Sequence, residues 1–198
     1  MTPPVQLEIL DRQVVFHQFV FRIEKVRFRP VGRDGTLREP MERLNFDRGD
    51  SVAALVHDVR HDSVLLAEQF RFSTYDKGPG WILELPAGIL EKDEAPEEAT
   101  RREVQEEIGY SVDQLTPIAT VYASPGGCSE RLHIFYIPVS PSDQTTLGGG
   151  LESEGEDIRT VVLDVNTAFA KLDAGEIVDA KTFIALQWLR LRRAGIPS

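Results

Sequence analysis

Residues 88–109 read GILEKDEAPEEATRREVQEEIG, and they carry the clearest structural signals in the chain. Pro96 stands where the first turn of a helix tolerates proline, and two glutamates follow it where acidic residues favour the positive end of the helix dipole. Gly109 then supplies a C-terminal stop. The stretch therefore predicts a loop followed by a helix over residues 96–108.

The predicted helix carries three glutamates at a spacing that places them on one exposed face: Glu103, Glu106 and Glu107. A solvated acidic face is the ordinary explanation of such a charge run. Here the loop that contains Gly88 is expected to pack on the same helix, and Arg102 can pair with Glu94. Hard oxygen ligands in this arrangement suit Mg²⁺ or Mn²⁺, which keep several waters and bridge to phosphates. The face therefore predicts a metal site.

The rest of the chain alternates between strand and helix patterns. Apolar and polar residues alternate from Val14 to Met41 around a turn at residues 32–35, which predicts an antiparallel sheet. Further strand candidates follow: Ser51–Val56, Val64–Phe70, Ile82–Leu85, Leu115–Tyr122, Leu132–Val139 and Thr160–Leu163. Two more helices are predicted, over about residues 167–172 and 180–193. Between them and the strands, residues 140–155 contain a triple glycine and predict a mobile loop.

Composition excludes several classes of protein. The net charge of −10 would repel a polyphosphate backbone, and no basic stripe offsets it, so we expect no nucleic-acid partner. The single cysteine, Cys128, forms no internal disulfide and indicates a reducing compartment. There is neither a run of about 18 apolar residues nor a signal-like segment within residues 1–10. We therefore expect a soluble, cytoplasmic protein with no membrane contact.

The spacing within residues 88–109 resembles the Nudix box. It consists of Gly88, five residues, Glu94, seven residues, and then the run REVQEEIG that starts at Arg102. Tyr110 departs from the pattern, which has an aliphatic residue there, and we interpret it as a packing position. A second segment, SPGGCSE at residues 124–130, resembles the marker of ADP-ribose pyrophosphatases, and GDP-mannose hydrolases share it. The resemblance extends over nearly the whole chain.

The resemblance implies a metal-dependent pyrophosphatase that hydrolyses the diphosphate of a nucleoside diphosphate sugar. ADP-ribose is the favoured substrate and would give AMP and a sugar phosphate. A GDP-mannose or other nucleotide-sugar pyrophosphatase is the first alternative. The second is a non-catalytic Nudix-fold regulator, which would lack part of the box or carry a DNA-binding appendage, and this sequence shows neither feature.

The resemblance also implies roles for individual residues. Two or more Mg²⁺ ions, for which Mn²⁺ can substitute, would be held by Glu103, Glu107, Glu156 and the carbonyl of Ala87, with Glu106 as a weaker third helix ligand. The base that activates the attacking water would be Glu154 in the loop, although Glu152 could take its place and a merely solvated acidic loop remains the alternative. Positions that would contact the substrate are Arg48, Arg71, Ser124 and Glu130.

The implied fold is of the α/β class. Residues 49–198 would form the Nudix α/β/α sandwich around a mixed sheet, preceded by a small N-terminal antiparallel β domain at residues 1–48. That first domain would serve dimerisation, so a homodimer is expected, in which Glu130 could serve the partner's site.

Overall fold

The computed structural model describes residues 7–151, 153 and 155–196. The chain divides into two compact units, of which the first comprises residues 7–50 and 122–131. This unit contains three antiparallel strands in the order β1-β2-β3: β1 (Leu7–Gln18), β2 (Phe21–Pro30) and β3 (Met41–Asp47). The predicted N-terminal antiparallel sheet is confirmed. All twelve residues of β1 are exposed.

The second unit comprises residues 51–121 and 132–196 and is built around a seven-stranded sheet. Its strands are β4 (Ser51–Asp58), β5 (Ser63–Phe70), β6 (Trp81–Glu84), β7 (Ala87–Ile89), β8 (Thr116–Tyr122), β9 (Arg131–Val139) and β10 (Arg159–Asp164). The main order is β10-β5-β4-β9-β8, with β6 paired to β5 and β7 paired to β4. Because β4 and β9 run parallel while β4 and β5 run antiparallel, the sheet is mixed, as predicted.

Among the described residues, four helices accompany this sheet: α1 (Phe72–Tyr75), α2 (Pro96–Ile108), α3 (Val165–Asp173) and α4 (Ala180–Arg193). Every residue of β4 is buried, which fits a central strand covered on both faces. One apolar cluster contains Val104 and Ile108 of α2, together with the predicted packing residue Tyr110. The other contains the buried apolar residues of α3 and α4. The predicted α/β/α layering is confirmed.

The predicted bounds of α2 and α4 are confirmed to the residue, because local signals mark their ends. Gly109 ends α2 with φ 79°, a conformation that favours glycine. The second predicted helix is two residues longer at its start, because Asp164 accepts hydrogen bonds from the backbone N–H groups of Asn166 and Thr167. Three elements were missed: β3, which begins where the predicted sheet ended, and β7 and α1, which are too short to show a periodic pattern.

Residues 140–155, which the sequence predicts to be a mobile loop, make defined backbone contacts over most of their described part. Residues 141–143 form a 3₁₀ turn. Beyond it, the N–H groups of Thr145, Gly149 and Gly150 donate to the carbonyls of Gly109, Glu107 and Glu106. These bonds satisfy carbonyl groups that the end of a helix leaves without partners, so the loop is fixed to the end of α2. No helix among the described residues is long and apolar enough to cross a membrane.

Candidate active site

The three predicted metal-binding glutamates of α2 differ sharply in exposure. Glu107 is only 2% exposed, and one of its carboxylate oxygens accepts a hydrogen bond from the N–H of Ala87 at 3.2 Å. The side chains of Glu103 and Glu106 are 13% and 27% exposed. The expected exposed carboxylate face is therefore wrong for Glu107. That side chain is buried because β7 lies against it, and no sequence pattern predicts β7.

The approach of β7 to α2 depends on Gly88. The Glu103 carboxylate occupies the space into which a side chain at Gly88 would project. Gly88 is also paired with Val52 of β4, so the backbone cannot move away without breaking the sheet. A Cβ at this point of close contact would therefore displace the Glu103 carboxylate from its position beside β7. This confirms the expectation that the Gly88 loop packs on the helix.

Arg102 holds the other side of the same helix. Its guanidinium binds both carboxylate oxygens of Glu94 at 3.0 Å, as predicted from the sequence. One terminal nitrogen also donates to Glu103 at 2.7 Å and to Glu106 at 3.2 Å. Arg102 therefore joins the loop before α2 to two of the candidate metal ligands.

The electrostatics of this cluster favour binding of a cation. Burial raises the pKa of Glu107 to about 9, and repulsion from Glu103, Glu156 and Glu84 adds to the effect. Burial also raises the pKa of Glu103, against the opposing effect of Arg102. Carboxylates that are buried together are unstable as anions unless positive charge compensates them. The hard oxygen donors and the excess of negative charge fit a divalent cation.

The ligands are not preassembled. No three His, Cys, Asp or Glu side chains among the described residues form a coordinating group. One reason is visible at Glu103, where a carboxylate oxygen is engaged by Arg102. Arg102 therefore competes with a metal ion for one of the two oxygens of Glu103.

The loop brings a further candidate ligand to α2. Glu156 lies close enough to raise the pKa of both Glu103 and Glu107. One oxygen of its carboxylate accepts the N–H of Leu151 at 2.9 Å. The predicted base, Glu154, and its rival, Glu152, lie outside the described residues.

Arg71 is the predicted substrate-binding residue of this unit. It lies at the start of α1, and its Nε donates to the carboxylate of Glu84 at 2.7 Å. Glu84 is buried at the end of β6 and was missed from the sequence. A signal was present, because a single acidic residue in the apolar run WILELP requires a buried cation as its partner.

The remaining predicted residues belong to the first unit. Nε of Arg48 lies 3.8 Å from the carboxylate of Glu130, and Glu130 is buried. The carbonyl of Ser124 accepts the N–H groups of Gly127 and Cys128, which closes the SPGG turn. The structure thus brings Arg48 and Glu130 together within this unit and places Ser124 in the same unit.

Comparison with known proteins decides the family. The family model described as the NUDIX domain matches residues 47–186. The chain belongs to the Nudix family. The matched residues include the whole Nudix box and the glycine-rich loop, so the resemblance inferred from residues 88–109 is confirmed. Nudix hydrolases depend on metal ions, which agrees with the buried Glu107 and the partly buried Glu103 of α2.

Known relatives align with nearly the whole of this chain. The ADP-ribose pyrophosphatase of Escherichia coli (strain K12) is 37% identical over 193 residues, which cover 96% of this chain and 90% of that protein. The GDP-mannose pyrophosphatase of Pectobacterium atrosepticum is 36% identical over 184 residues, with coverage of 92% and 90%. A crystal structure of an ADP compounds hydrolase superposes with a TM-score of 0.70 at 21% identity and covers 96% of each chain, which supports the fold.

Proposed function

We propose that this Nudix protein is a pyrophosphatase that hydrolyses the diphosphate of nucleoside diphosphate sugars, with ADP-ribose as its preferred substrate. The observation that carries the proposal is the carboxylate cluster of buried Glu107 with the partly buried Glu103 and Glu156. A diphosphate is an anion, and this site can attract it only through bound cations. The products would be AMP and ribose 5-phosphate.

The metal site would use Glu103, Glu107 and Glu156, with the carbonyl of Ala87 as a backbone ligand. Two or more Mg²⁺ ions, or Mn²⁺ in their place, would supply Lewis-acid activation of the phosphorus. Ala87 is well placed for this role, because its N–H is already bound by Glu107 and the two residues are therefore held together. Glu106 is more exposed and shares Arg102, which suits a weaker ligand.

The loop after the triple glycine would supply the general base. We assign Glu154 to accept the proton of the attacking water. Two features support this assignment: Glu156, two residues further on, lies near Glu107, and Gly149 and Gly150 are bonded to the end of α2. The base would thereby be carried on a segment anchored to the metal-binding helix.

Substrate oxygens would be bound by arginine and hydroxyl donors. Arg71 presents a planar guanidinium that matches the geometry of a phosphate group. We assign the same class of role to Arg48, Ser124 and Glu130, of which Glu130 would accept hydrogen bonds from sugar hydroxyls.

We further propose a homodimer in which residues 1–48 provide the interface. Its support is the apolar character of exposed β1 residues such as Ile9, Val14 and Phe16.

A GDP-mannose pyrophosphatase is the second candidate, and the relative from Pectobacterium atrosepticum favours it. Both candidates are tested by one hydrolysis panel with ADP-ribose, GDP-mannose, UDP-glucose and a dinucleoside polyphosphate, each with Mg²⁺ and with excess chelator. We expect ADP-ribose to give the highest kcat/KM and AMP as a product. Full activity in chelator would contradict the metal mechanism, and a higher kcat/KM for GDP-mannose would move the assignment to the second candidate.

A further inference from the structure

The first turn of α4 holds the backbone that leads from β6 into β7. Asp179 caps this helix and accepts a hydrogen bond from the N–H of Thr182 at 2.9 Å. The hydroxyl of Thr182 donates to the same carboxylate at 2.5 Å and accepts the N–H of Leu85 at 2.8 Å. The position of Leu85, two residues before Ala87, is therefore set by α4.

Lys181, in the same turn, holds the neighbouring side chain. Its ammonium group contacts the carboxylate of Glu84 and lies 3.0 Å from that of Asp179. The side chains of Lys181 and Glu84 are only 12% and 4% exposed. A carboxylate at this depth is strongly destabilised without a cation, so Lys181 compensates the charge of Glu84.

Glu84 divides its two oxygens between two cations. Oε2 is bound by Lys181, and Oε1 accepts the Nε of Arg71 at 2.7 Å. Arg71 therefore uses one edge of its guanidinium, and its terminal nitrogens have no hydrogen-bond acceptor among the residues that the structure describes. The Arg71 side chain is 38% exposed, so these nitrogens remain available to an anion.

It matters that the two oxygens of Glu84 bind different cations, because arginine and carboxylate groups prefer to pair through two parallel hydrogen bonds. Without Lys181, Oε2 would be free and negatively charged. Arg71 would then turn to bind both oxygens and withdraw its terminal nitrogens from solvent. By occupying Oε2, Lys181 limits Arg71 to a single bond.

We propose that Lys181 and Glu84 are positioning residues that hold the guanidinium of Arg71 toward the diphosphate of the nucleotide sugar. The inference rests on the proposed function, in which Arg71 binds substrate. Lys181 would thus affect substrate affinity although its side chain is buried and its ammonium group contacts Glu84.

The first test is Lys181→Met, with Lys171→Met as its matched control. Lys171 pairs with Glu176 on the surface, so its loss should leave both kinetic constants unchanged. For Lys181→Met we expect KM for ADP-ribose to rise by about 10-fold or more, the range for one charge-assisted hydrogen bond, while kcat stays within about 3-fold. The metal concentration for half-maximal rate should not change, and Lys181→Arg should restore much of the KM.

A double-mutant cycle with Arg71→Ala separates positioning from a general structural role. We expect Lys181→Met to add little to the KM of the Arg71→Ala enzyme, because the group it positions is already absent. An equal increase in both backgrounds would overturn the proposal. If Arg71→Ala alone leaves KM unchanged for every nucleotide sugar, the proposed substrate contact is wrong instead, and the positioning role falls with it.

A second variant tests the proposal if Lys181→Met does not fold. Glu84→Gln/Lys181→Met replaces both buried charges, a change that is often tolerated where removal of one partner is not. It should fold and show the same raised KM, again with no further increase when Arg71→Ala is added. A wild-type KM in this double variant would overturn the proposal.

Discussion

Gly148 lies directly against the backbone of Glu107, so that a Cβ at Gly148 would come within 2.5 Å of the Glu107 carbonyl oxygen. Gly148 also adopts φ 67°, in the left-handed region that L side chains rarely occupy. The glycine-rich loop and the metal-binding helix are thus in backbone contact at the residue whose carboxylate is most deeply buried.

Gly148→Ala should therefore lower stability and also weaken metal binding, because either the loop or the end of α2 must move. Its control is Gly175→Ala, since Gly175 has φ 73° but no atom within 4 Å of the added Cβ. The control should show only the backbone strain of about 1–2 kcal/mol. Urea unfolding and the metal dependence of the rate measure the two effects. Equal losses in the two variants would mean that the contact with Glu107 has no role.

Glu107→Gln should lower kcat by about 10³-fold or more, as for removal of a group that acts on transition-state charge. It should also stabilise the metal-free protein at pH 8. The pKa of Glu107, about 9 in the folded chain, lies above its unfolded value, so ionisation opposes folding increasingly as the pH rises from about 4.5 to 9.

Thermal unfolding in excess chelator measures this second effect. We expect the difference in Tm between Glu107→Gln and wild type to grow by several °C between pH 5 and pH 8, since 1 kcal/mol corresponds to roughly 2–4 °C for a chain of this size. Glu97→Gln, an exposed residue of the same helix, is the control and should show no such trend. A loss of helical signal in Glu107→Gln would identify the residue as structural.

The two loop carboxylates Glu154 and Glu156 should affect different kinetic quantities. Glu154→Gln is expected to lower kcat by roughly 10² to 10⁴ with little change in metal affinity, as for a general base. Glu156→Gln should instead raise the metal concentration for half-maximal rate, because it removes a ligand. Rates at saturating metal and metal titrations distinguish the two. If Glu152→Gln loses kcat while Glu154→Gln does not, the base is Glu152.

Arg102→Lys should destabilise the protein although the charge is kept. A lysine cannot make the two bonds that the guanidinium forms with Glu94 while it also reaches Glu103. We expect a loss of about 1–3 kcal/mol in the free energy of unfolding, measured by urea titration. In a Glu94→Gln background the loss should be smaller. A full-sized loss in that background would show that the pairing with Glu94 is not its cause.

The sequence alone determined the elements whose signals are local. Pro96 and Gly109 mark the ends of α2, and glutamates at a spacing of three and four residues share its face in any context. The pairing of Arg102 with Glu94 was predictable for the same reason, because eight residues separate them around one helix start. The box identified the family for the same reason, since its spacing is a local property.

What lies against that face depends on contacts between residues far apart in the chain. The burial of Glu107 follows from β7, a three-residue strand held by its pairing with β4 rather than by its own sequence. The Lys181–Glu84 pair joins residues 97 positions apart, which no local pattern can bring together. The contacts of the glycine-rich loop are tertiary as well: its glycines let the backbone approach closely enough for Gly149 and Gly150 to donate to the carbonyls of Glu107 and Glu106 at the end of α2.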